Sequence, residues 1–160
     1  MDNILITGST GFIGKRIANA VHGNIRILSR SKQPKYETVV CNLESEIIPN
    51  YTLNGIDTVF HLAGFAHDMR DASEIADLYY KVNVNATVQL ANLAVKSGVK
   101  KFVFVSSVKA GGNPPLGICA NEKDQKNTED VYGKTKREAE LALLKIGKAS
   151  GVILPKINTQ

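Results

Sequence analysis

The feature that most constrains the fold is a glycine-rich turn near the start of the chain, in the stretch ILITGSTGFIGKRIA. Gly8, Gly11 and Gly14 stand at three-residue spacing between two patterned segments. Residues 4–6 form the short apolar run that is typical of a buried parallel strand, and apolar residues recur at four-residue spacing over 13–21, which indicates one face of a helix. A strand, a tight turn and a helix in this order predict the opening unit of a sheet covered by helices.

The spacing of the glycines also predicts what the turn could hold. A P-loop needs a glycine five positions before a Gly-Lys-Ser/Thr sequence. Ser9 stands at that glycine position and Arg16 at the hydroxyl position, so the P-loop pattern is absent. The observed spacing is instead a relative of the dinucleotide fingerprint, in which a pyrophosphate lies over the free amide groups at a helix N-terminus. The structural alternative is a glycine-rich turn that holds no ligand.

The rest of the chain alternates between strand and helix patterns. A long helical pattern runs from Ile75 to Ala94, GGNPPLG at 111–117 predicts an irregular loop, and a last helix begins at Asp130. The predicted strands after the first are 25–29, 37–43, 55–64 and 100–107, and a further strand begins with GVIL at 151–154. This alternation predicts an α/β fold, a Rossmann-like doubly wound parallel sheet in a single domain.

The composition is that of one ordinary globular domain, with 160 residues of which 43% are hydrophobic and 22% charged. No run of about 18 apolar residues could span a membrane, and the first strand begins without a charged, cleavable leader. We therefore expect a cytoplasmic protein with no membrane span. Cys41 and Cys119 lack a Cys-x-x-Cys spacing, which favours reduced thiols over a disulfide or a zinc site.

The net charge of +5 invites a nucleic-acid interpretation, so the distribution of the charges matters. Between residues 121 and 148 the basic side chains are interleaved with acidic ones, which describes a solvated face rather than a stripe that follows phosphates. We expect no nucleic-acid partner. A modest positive excess is compatible with anionic small molecules such as nucleotides.

Residues suited to chemistry follow the predicted strands. In a parallel sheet, ligands bind beyond the carboxyl ends of the strands. The segment 55–64 ends in small residues, 100–107 ends in Ser107, and Tyr132 and Lys136 lie four apart at the start of the last helix. An ammonium beside a phenol favours the phenolate, so we expect Lys136 to lower the pKa of Tyr132 and the pair to act as a general acid and base. The simpler alternatives are a strand-end cap for the serine and an ordinary helix pair for the other two residues.

Histidines and aspartates close to one predicted strand end could suggest a metal. His61, His67, Asp68 and Asp71 lack the spacing of metal ligands, so we expect no metal site. His61 is interpreted as a packing residue at the strand end.

Four motifs follow one another in a specific order, TGSTGFIG, VFHLAG, FVFVSS and YGKTK, within a resemblance that covers residue 3 to about residue 154. The ordered set resembles the extended short-chain dehydrogenase/reductases, and within them the NAD-dependent epimerase/dehydratase family that acts on nucleotide sugars. The stretches AHDMRD and SSVKAGG resemble the bacterial nucleotide-sugar C4 epimerases and C4 keto-reductases of surface-polysaccharide synthesis.

The resemblance implies NAD as cofactor, with NADP not excluded, and it implies roles for individual residues. Tyr132 would take a proton from a sugar hydroxyl, Ser107 would hydrogen-bond the same oxygen, and Lys136 would hold the nicotinamide ribose. Asn83 matches an asparagine of the family that supports the active-site region. The implied cofactor-binding residues are Gly8, Thr10, Gly11, Phe12, Ile13, Gly14, Arg30, Asn42, Leu43, Leu62, Ala63, Gly64, Tyr132 and Lys136.

The chain departs from the family pattern where the adenosine ribose binds. Ser29 and Arg30 stand at the end of the second strand, where an acidic residue is usual, and Asn42 stands where many relatives carry an aspartate. Together with Lys32, these residues suit a 2′-phosphate. Arg30 could instead stack on the adenine, and we rank NAD ahead of NADP.

In the family, the chain continues beyond the strand begun by GVIL into segments that build the sugar pocket. We therefore expect residues 1–160 to be a cofactor-binding domain truncated before the substrate-binding region, with a nucleotide sugar as substrate in a full-length relative. The two long helices belong, in the family, to faces through which subunits pair, which implies a homo-oligomer. The alternative is a non-catalytic dinucleotide-binding or interaction module.

Overall fold

The computed structural model describes residues 1–66, 72–114, 116–117, 121, 126–128, 130–150, 152 and 156–159. The strands are β1 (Asn3–Thr7), β2 (Asn24–Ser29), β3 (Glu37–Val40), β4 (Thr58–His61), β5 (Lys101–Ser107) and β6 (Lys156–Thr159). The α-helices are α1 (Phe12–Ala20), α2 (Ala72–Tyr79), α3 (Ala86–Lys96) and α4 (Val131–Ser150). A π-helical turn at Tyr80–Asn85 joins α2 to α3, and 3-10 turns lie at Asn50–Leu53 and Val108–Gly111.

The six strands form one parallel sheet in the order β3-β2-β1-β4-β5-β6. The chain builds outward from β1 to β3 on one side and from β4 to β6 on the other, so the direction of winding changes between β1 and β4. Thr7 is in register with His61, which places the carboxyl ends of these two strands side by side. Ligands of open parallel sheets bind at such a switch point. The predicted Rossmann-like doubly wound fold is confirmed.

Several strands are shorter than predicted, because apolar runs extend into the turns that follow. The run at 37–43 was predicted as a strand, but β3 ends at Val40, and 55–64 contributes only Thr58–His61. The strand predicted to begin at 151–154 is described at Lys156–Thr159. Most of GVIL lies outside the described residues.

Alternation along β1 sends its side chains to both faces of the sheet. Ile4 and Ile6 pack with Ala18 of α1 on one face. Leu5 belongs to the larger cluster on the other face, together with Phe102 of β5 and residues of α3 and α4. A ring as fully buried as that of Phe102 contributes about 3–5 kcal/mol to the free energy of unfolding. By the same alternation, Thr7 and His61 point to the side of the larger cluster.

The long helix predicted from Ile75 to Ala94 is confirmed as one uninterrupted helical run, with the π-helical turn in its middle. A π turn adds a residue to the helical repeat and is frequent at functional sites. Asn83 lies in this turn and is only 2% exposed. The spacing of apolar residues in the sequence predicted the helix and carried no signal of the turn.

Candidate functional site

The glycine turn packs β1, α1 and the end of β4 closely together. Gly8 has φ +69°, and a Cβ there would lie 2.7 Å from the backbone nitrogen of Ala63. A Cβ at Gly14 would collide with the carbonyl oxygen of Gly8, so the first turn of α1 requires glycine. The helix begins at Phe12 with no cap from a described side chain. Its first amide groups therefore lack intrahelical acceptors and can donate to an anion.

A cleft of about 410 Å³ opens beside the turn, at the carboxyl ends of β1, β2 and β4. Nine of the predicted cofactor-binding residues line it: Gly8, Thr10, Gly11, Arg30, Asn42, Leu43, Leu62, Ala63 and Gly64. Leu28, Ser29, Cys41, Glu44, Phe65, Ala66 and Val82 complete the lining. The sequence therefore predicted more than half of the residues that line this cleft.

The remaining predicted residues lie outside this lining. The Phe12 side chain is 75% exposed, with the Arg16 guanidinium 3.7 Å from the centre of its ring, and Ile13 is half-buried. Gly14 is buried against the glycine turn. These three residues can contribute backbone amides rather than side chains. Ser107, Tyr132 and Lys136 form a separate group beyond Gly64.

Glu44 is a cleft residue that the sequence analysis missed. Its carboxylate lies 3.8 Å from the guanidinium of Arg30, so an acidic group stands beside the end of β2 after all. Asn42 positions it, because the Asn42 side chain accepts a hydrogen bond from the Glu44 backbone nitrogen at 3.1 Å. The sequence signal that could have revealed this cleft residue is its position, since Glu44 lies only two positions after Asn42, which was predicted to bind the cofactor. The loop after β3 therefore supplies the acidic group that the resemblance implies at the end of β2.

The Ser107 side chain lies near enough to Tyr132 to lower the pKa of its phenol. A Cβ at Gly133 would lie 2.6 Å from the Lys109 carbonyl oxygen, so α4 can approach the turn after β5 only because this residue is glycine. Asp130 caps the helix by accepting from the Gly133 nitrogen at 2.6 Å and pairs with the Lys109 ammonium at 2.6 Å. The Ser107 hydroxyl also accepts from the Lys109 nitrogen at 3.3 Å, as the capping alternative predicted, and its role toward a substrate stays a prediction.

The expectation that Lys136 lowers the pKa of Tyr132 is wrong for this structure. Burial of the half-buried phenol raises the pKa of Tyr132 above its usual range. The hydrogen bond from Ser107 and the charge of Lys109 act in the opposite direction and do not outweigh burial. Lys136 is not among the charged groups that act on Tyr132, and its ammonium is hydrogen-bonded to the carbonyl oxygen of Val105 instead.

Lys136 is 4% exposed, and its ammonium donates a 2.6 Å hydrogen bond to the carbonyl oxygen of Val105. It also lies 4.0 Å from the centre of the Phe104 ring. Burial lowers the pKa of Lys136 to about 8, against the opposing charge of Glu140. A Cβ added at Gly64 would stand 4.0 Å from this ammonium, which places Lys136 next to the end of the cleft.

Asn83 connects the cleft wall to the helix that carries Tyr132. Its amide oxygen accepts from the Phe65 nitrogen at 2.7 Å, and its amide nitrogen donates to the Phe65 oxygen at 3.0 Å and to the Thr135 hydroxyl at 3.2 Å. The ring of Tyr79 contacts those of Phe65 and Tyr132, at centroid distances of 4.9 Å and 6.3 Å. Asn83 therefore supports the site by bonding Phe65 to Thr135, and Tyr79 supports it by packing between Phe65 and Tyr132.

Other sequence expectations concern groups away from the cleft. Cys41 is a free, buried thiol, and burial followed by the nearby Glu46 carboxylate raises its pKa to about 11. Cys119, His67, Asp68 and Asp71 lie outside the described residues, as does most of AHDMRD. Within the described ranges, no cluster of three or more metal-ligating side chains occurs, and no helix is long and apolar enough to cross a membrane.

The parallel sheet, the glycine turn at the switch point and the cleft beside it define a dinucleotide-binding domain of the Rossmann type. The model of the NAD dependent epimerase/dehydratase family matches residues 4–155. The chain belongs to that family, and the resemblance inferred from the four motifs is confirmed.

The similarity extends to characterised proteins. The chain is 34% identical to a UDP-glucose 4-epimerase of Vibrio cholerae, covering 94% of this chain and 48% of that protein. It is 31% identical to the N-acetyl-alpha-D-glucosaminyl-diphospho-ditrans,octacis-undecaprenol 4-epimerase of Escherichia coli O157:H7, covering 89% and 43%. The structure of MoeE5 in complex with UDP-glucose and NAD superposes with a TM-score of 0.81 at 28% identity, covering 96% and 52%.

The chain thus spans about half the length of the relatives that it matches. NAD as the cofactor of the family is confirmed by the family's own description and by the complex of MoeE5. The roles of Ser107, Tyr132 and Lys136 stay predictions, as do the domain boundary, the cytoplasmic location and the absence of a nucleic-acid partner.

Proposed function

We propose that this chain is the NAD-binding part of a nucleotide-sugar epimerase or dehydratase that oxidises and reduces a UDP-sugar at C4. The observation that carries the proposal is the continuity of the site. The cleft runs from the glycine turn to Gly64, and Gly64 stands beside Lys136, on the same helix as Tyr132. The proteins of Vibrio cholerae and Escherichia coli named above are 4-epimerases, which supports the choice of reaction.

The residues present fit a dinucleotide. Gly8 and Gly11 expose backbone where a pyrophosphate would need close approach, and the uncapped start of α1 offers amide donors to it. Gly64 leaves open the space in front of the Lys136 ammonium, which would hold the ribose nearest the reacting ring. NAD, when bound, supplies the hydride acceptor for oxidation of the sugar alcohol.

The chain's own residues would handle the proton. The Tyr132 hydroxyl would exchange a proton with the sugar C4 hydroxyl, and Ser107 would hydrogen-bond the same oxygen. Because burial keeps Tyr132 a neutral phenol, groups that favour its ionised form determine how well it accepts a proton. The hydrogen bond from Ser107 and the charge of Lys109 both act in that sense.

Cofactor binding is tested by titrating the chain with NADH and following fluorescence. We expect saturable binding, whereas magnesium-ATP should compete poorly because the P-loop hydroxyl is absent. Gly64→Val should weaken NADH binding by at least about tenfold, because the side chain enters the space before Lys136. Gly111→Val is the matched control, since a Cβ there meets nothing within 4 Å. ATP binding without any response to NADH would overturn the assignment.

The sugar chemistry is tested in a chimera that joins this chain to the C-terminal half of a full-length relative, because residues 1–160 alone are expected to lack the sugar pocket. The chimera is incubated with NAD and UDP-glucose or UDP-N-acetylglucosamine, and the C4 epimers are separated. Tyr132→Phe keeps the ring and removes the hydroxyl, so turnover should fall by roughly 100-fold or more with little change in NADH affinity. Tyr51→Phe, at an exposed tyrosine, is the control. NADH binding by the chimera with no turnover of either sugar would favour the alternative, a non-catalytic dinucleotide-binding module.

A homo-oligomer is part of the same proposal. Leu141 and Leu144 of α4 are 54% and 43% exposed, on one of the helices through which the resemblance implies pairing. Light scattering should find a dimer or larger species, and Leu141→Lys with Leu144→Lys should shift it to a monomer. A wild-type monomer at all concentrations would contradict this part.

A further inference from the structure

Behind the cleft, a chain of hydrogen bonds between buried side chains crosses from β1 to α3. The hydroxyl of Thr7 lies 2.7 Å from Nδ1 of His61, and Nε2 of His61 lies 2.7 Å from the hydroxyl of Thr87. All three residues are 0% exposed. The reaction proposed above uses none of them, and packing alone would not require three polar groups in this position.

Counting donors and acceptors assigns the tautomer of His61. A threonine hydroxyl has one hydrogen and two acceptor positions. The backbone nitrogen of Ala63 donates to the Thr7 hydroxyl at 3.0 Å. The Leu62 nitrogen is shared between this hydroxyl, at 3.2 Å, and the Thr7 carbonyl oxygen, at 3.3 Å, so both acceptor positions of the hydroxyl are occupied. The hydroxyl hydrogen must then point to Nδ1 of His61, so Nδ1 carries no proton. The ring proton lies on Nε2 and is donated to Thr87.

This geometry matters because the two amides belong to the wall of the cleft. Leu62 and Ala63 line it, and the Ala63 nitrogen is the atom that approaches Gly8 so closely that a Cβ would lie 2.7 Å away. The distance between the β4 wall and the glycine turn is therefore set in part by this hydroxyl group, beside the bond from the Leu62 nitrogen to the Thr7 carbonyl oxygen. His61 is the acceptor that orients this hydroxyl.

We propose that His61 is a positioning residue for the cofactor: as a neutral, Nε2-protonated imidazole it orients the Thr7 hydroxyl, which fixes the Leu62 and Ala63 amides against the glycine turn. The inference rests on the proposed binding of NAD in this cleft. It replaces the interpretation of His61 as a strand-end packing residue with a defined task.

The surroundings of His61 keep the imidazole neutral. Its ring stacks on Phe104 at a centroid distance of 5.7 Å and meets the edge of Phe102 at 6.0 Å. The Lys136 ammonium lies over the same Phe104 ring and is the charged group that acts on His61 within the described residues. Burial and, after it, this positive charge lower the pKa of His61 to about 3. An imidazolium would donate from both nitrogens and leave the Thr7 hydrogen without an acceptor.

The tautomer is tested on the unmodified chain by long-range ¹⁵N–¹H correlation of the histidine rings. The chain has three histidines, and a His61→Phe sample assigns the signal that disappears. We expect the His61 proton on Nε2 at every pH between 5 and 9. A proton on Nδ1, or titration of this ring within that range, would overturn the proposal without reference to any ligand.

The positioning role is tested with Thr7→Val, which keeps the shape and removes the acceptor. We expect about tenfold weaker NADH binding and at least about tenfold faster hydrogen exchange at the Leu62 and Ala63 amides. Thr52→Val is the matched control. Thr52 is equally buried, and its hydroxyl has no partner among the described residues, so neither readout should change.

The outcomes separate this inference from the proposed function. If the wild-type chain does not bind NADH, the cofactor proposal fails, and hydrogen exchange together with the tautomer still decides whether His61 orients Thr7. If NADH binds and Thr7→Val leaves both its affinity and the two amides unchanged, the positioning role is refuted. His61→Phe combined with Thr7→Val should be less than additive in NADH affinity, because both changes act through one hydroxyl.

Discussion

The Lys136 ammonium and the Val105 carbonyl oxygen are joined by a 2.6 Å hydrogen bond inside the protein. The bond ties α4 to β5 with a cation that is almost fully removed from water. A buried ammonium is costly in its charged form, which is why the pKa of Lys136 falls to about 8. Lys136 therefore links α4 to β5 and also places its ammonium at the end of the cleft, where it can contact a ligand.

The buried ammonium predicts that the chain becomes more stable as the pH rises from about 8 to 10.5. In that range the unfolded chain binds more protons at this lysine than the folded chain, so the free energy of unfolding increases with pH, by at most about 1.4 kcal/mol per unit. Lys136→Met should remove this dependence, whereas Lys134→Met, at an exposed position on the same helix, should preserve it. Urea unfolding at several pH values measures the slope. An equal slope in wild type and Lys136→Met would contradict the prediction.

Gly133→Ala should separate α4 from the turn after β5. The added Cβ would stand 2.6 Å from the Lys109 carbonyl oxygen, so the free energy of unfolding should fall by about 1–3 kcal/mol. Gly111→Ala, in the same region but with open space at its Cβ, should change it by less than about 0.5 kcal/mol. Equal effects of the two substitutions in denaturant titrations would show that the close approach is not needed.

Lys109, rather than Lys136, is expected to be the cation that acts on Tyr132. Lys109→Met should raise the pKa of Tyr132 further, and only modestly because the lysine is largely exposed and its charge is screened. The difference in ultraviolet absorbance between each protein and its Tyr132→Phe version isolates this phenol during a pH titration. Lys134→Met is the control of equal charge change. If Lys136→Met changes the pKa of Tyr132 more than Lys109→Met does, the original expectation that Lys136 lowers this pKa would be restored.

Glu44 is expected to set the balance between NAD and NADP. Its carboxylate beside Arg30 offsets the cation that would otherwise attract a 2′-phosphate, so the wild type should prefer NADH. Glu44→Gln should improve NADPH binding relative to NADH by about threefold to tenfold, and Arg30→Glu should weaken NADPH more than NADH. Titrations with both nucleotides measure the ratios. If Arg30→Glu affects both equally, Arg30 acts as a shelf for the adenine.

The neutral His61 predicts a loss of stability in acid. The folded pKa of about 3 lies below the usual 6.5, so the unfolded chain binds more protons below pH 6.5, and stability falls as the pH drops from there. His61→Phe should flatten the dependence between pH 6.5 and 4.5, whereas His22→Phe at an exposed position should not. Thermal melts across this range provide the comparison.

The agreement between sequence and structure is uneven for a physical reason. The glycine turn, the helix at Ile75 and most of the cleft lining were predictable, because turn chemistry and side-chain periodicity are local properties of a few adjacent residues. Strand ends were less predictable, since apolar residues continue past the last residue of the strand, as at Cys41 after β3. Glu44 was missed because its partner, Arg30, belongs to another loop.

The sequence by itself determined the order of strands and helices, the site of the glycine turn and the family, since each depends on residue types at short, countable spacings. Only the tertiary structure decided what the ionisable groups do. Tyr132 and Lys136 are four residues apart, yet burial raises the pKa of Tyr132 while the ammonium of Lys136 bonds to the Val105 carbonyl oxygen. Thr7 and His61 are 54 residues apart, yet they share one hydrogen bond. A pKa and a tautomer depend on the distances between remote segments and on the exclusion of solvent from them. Both exist only once the strands and helices have packed together.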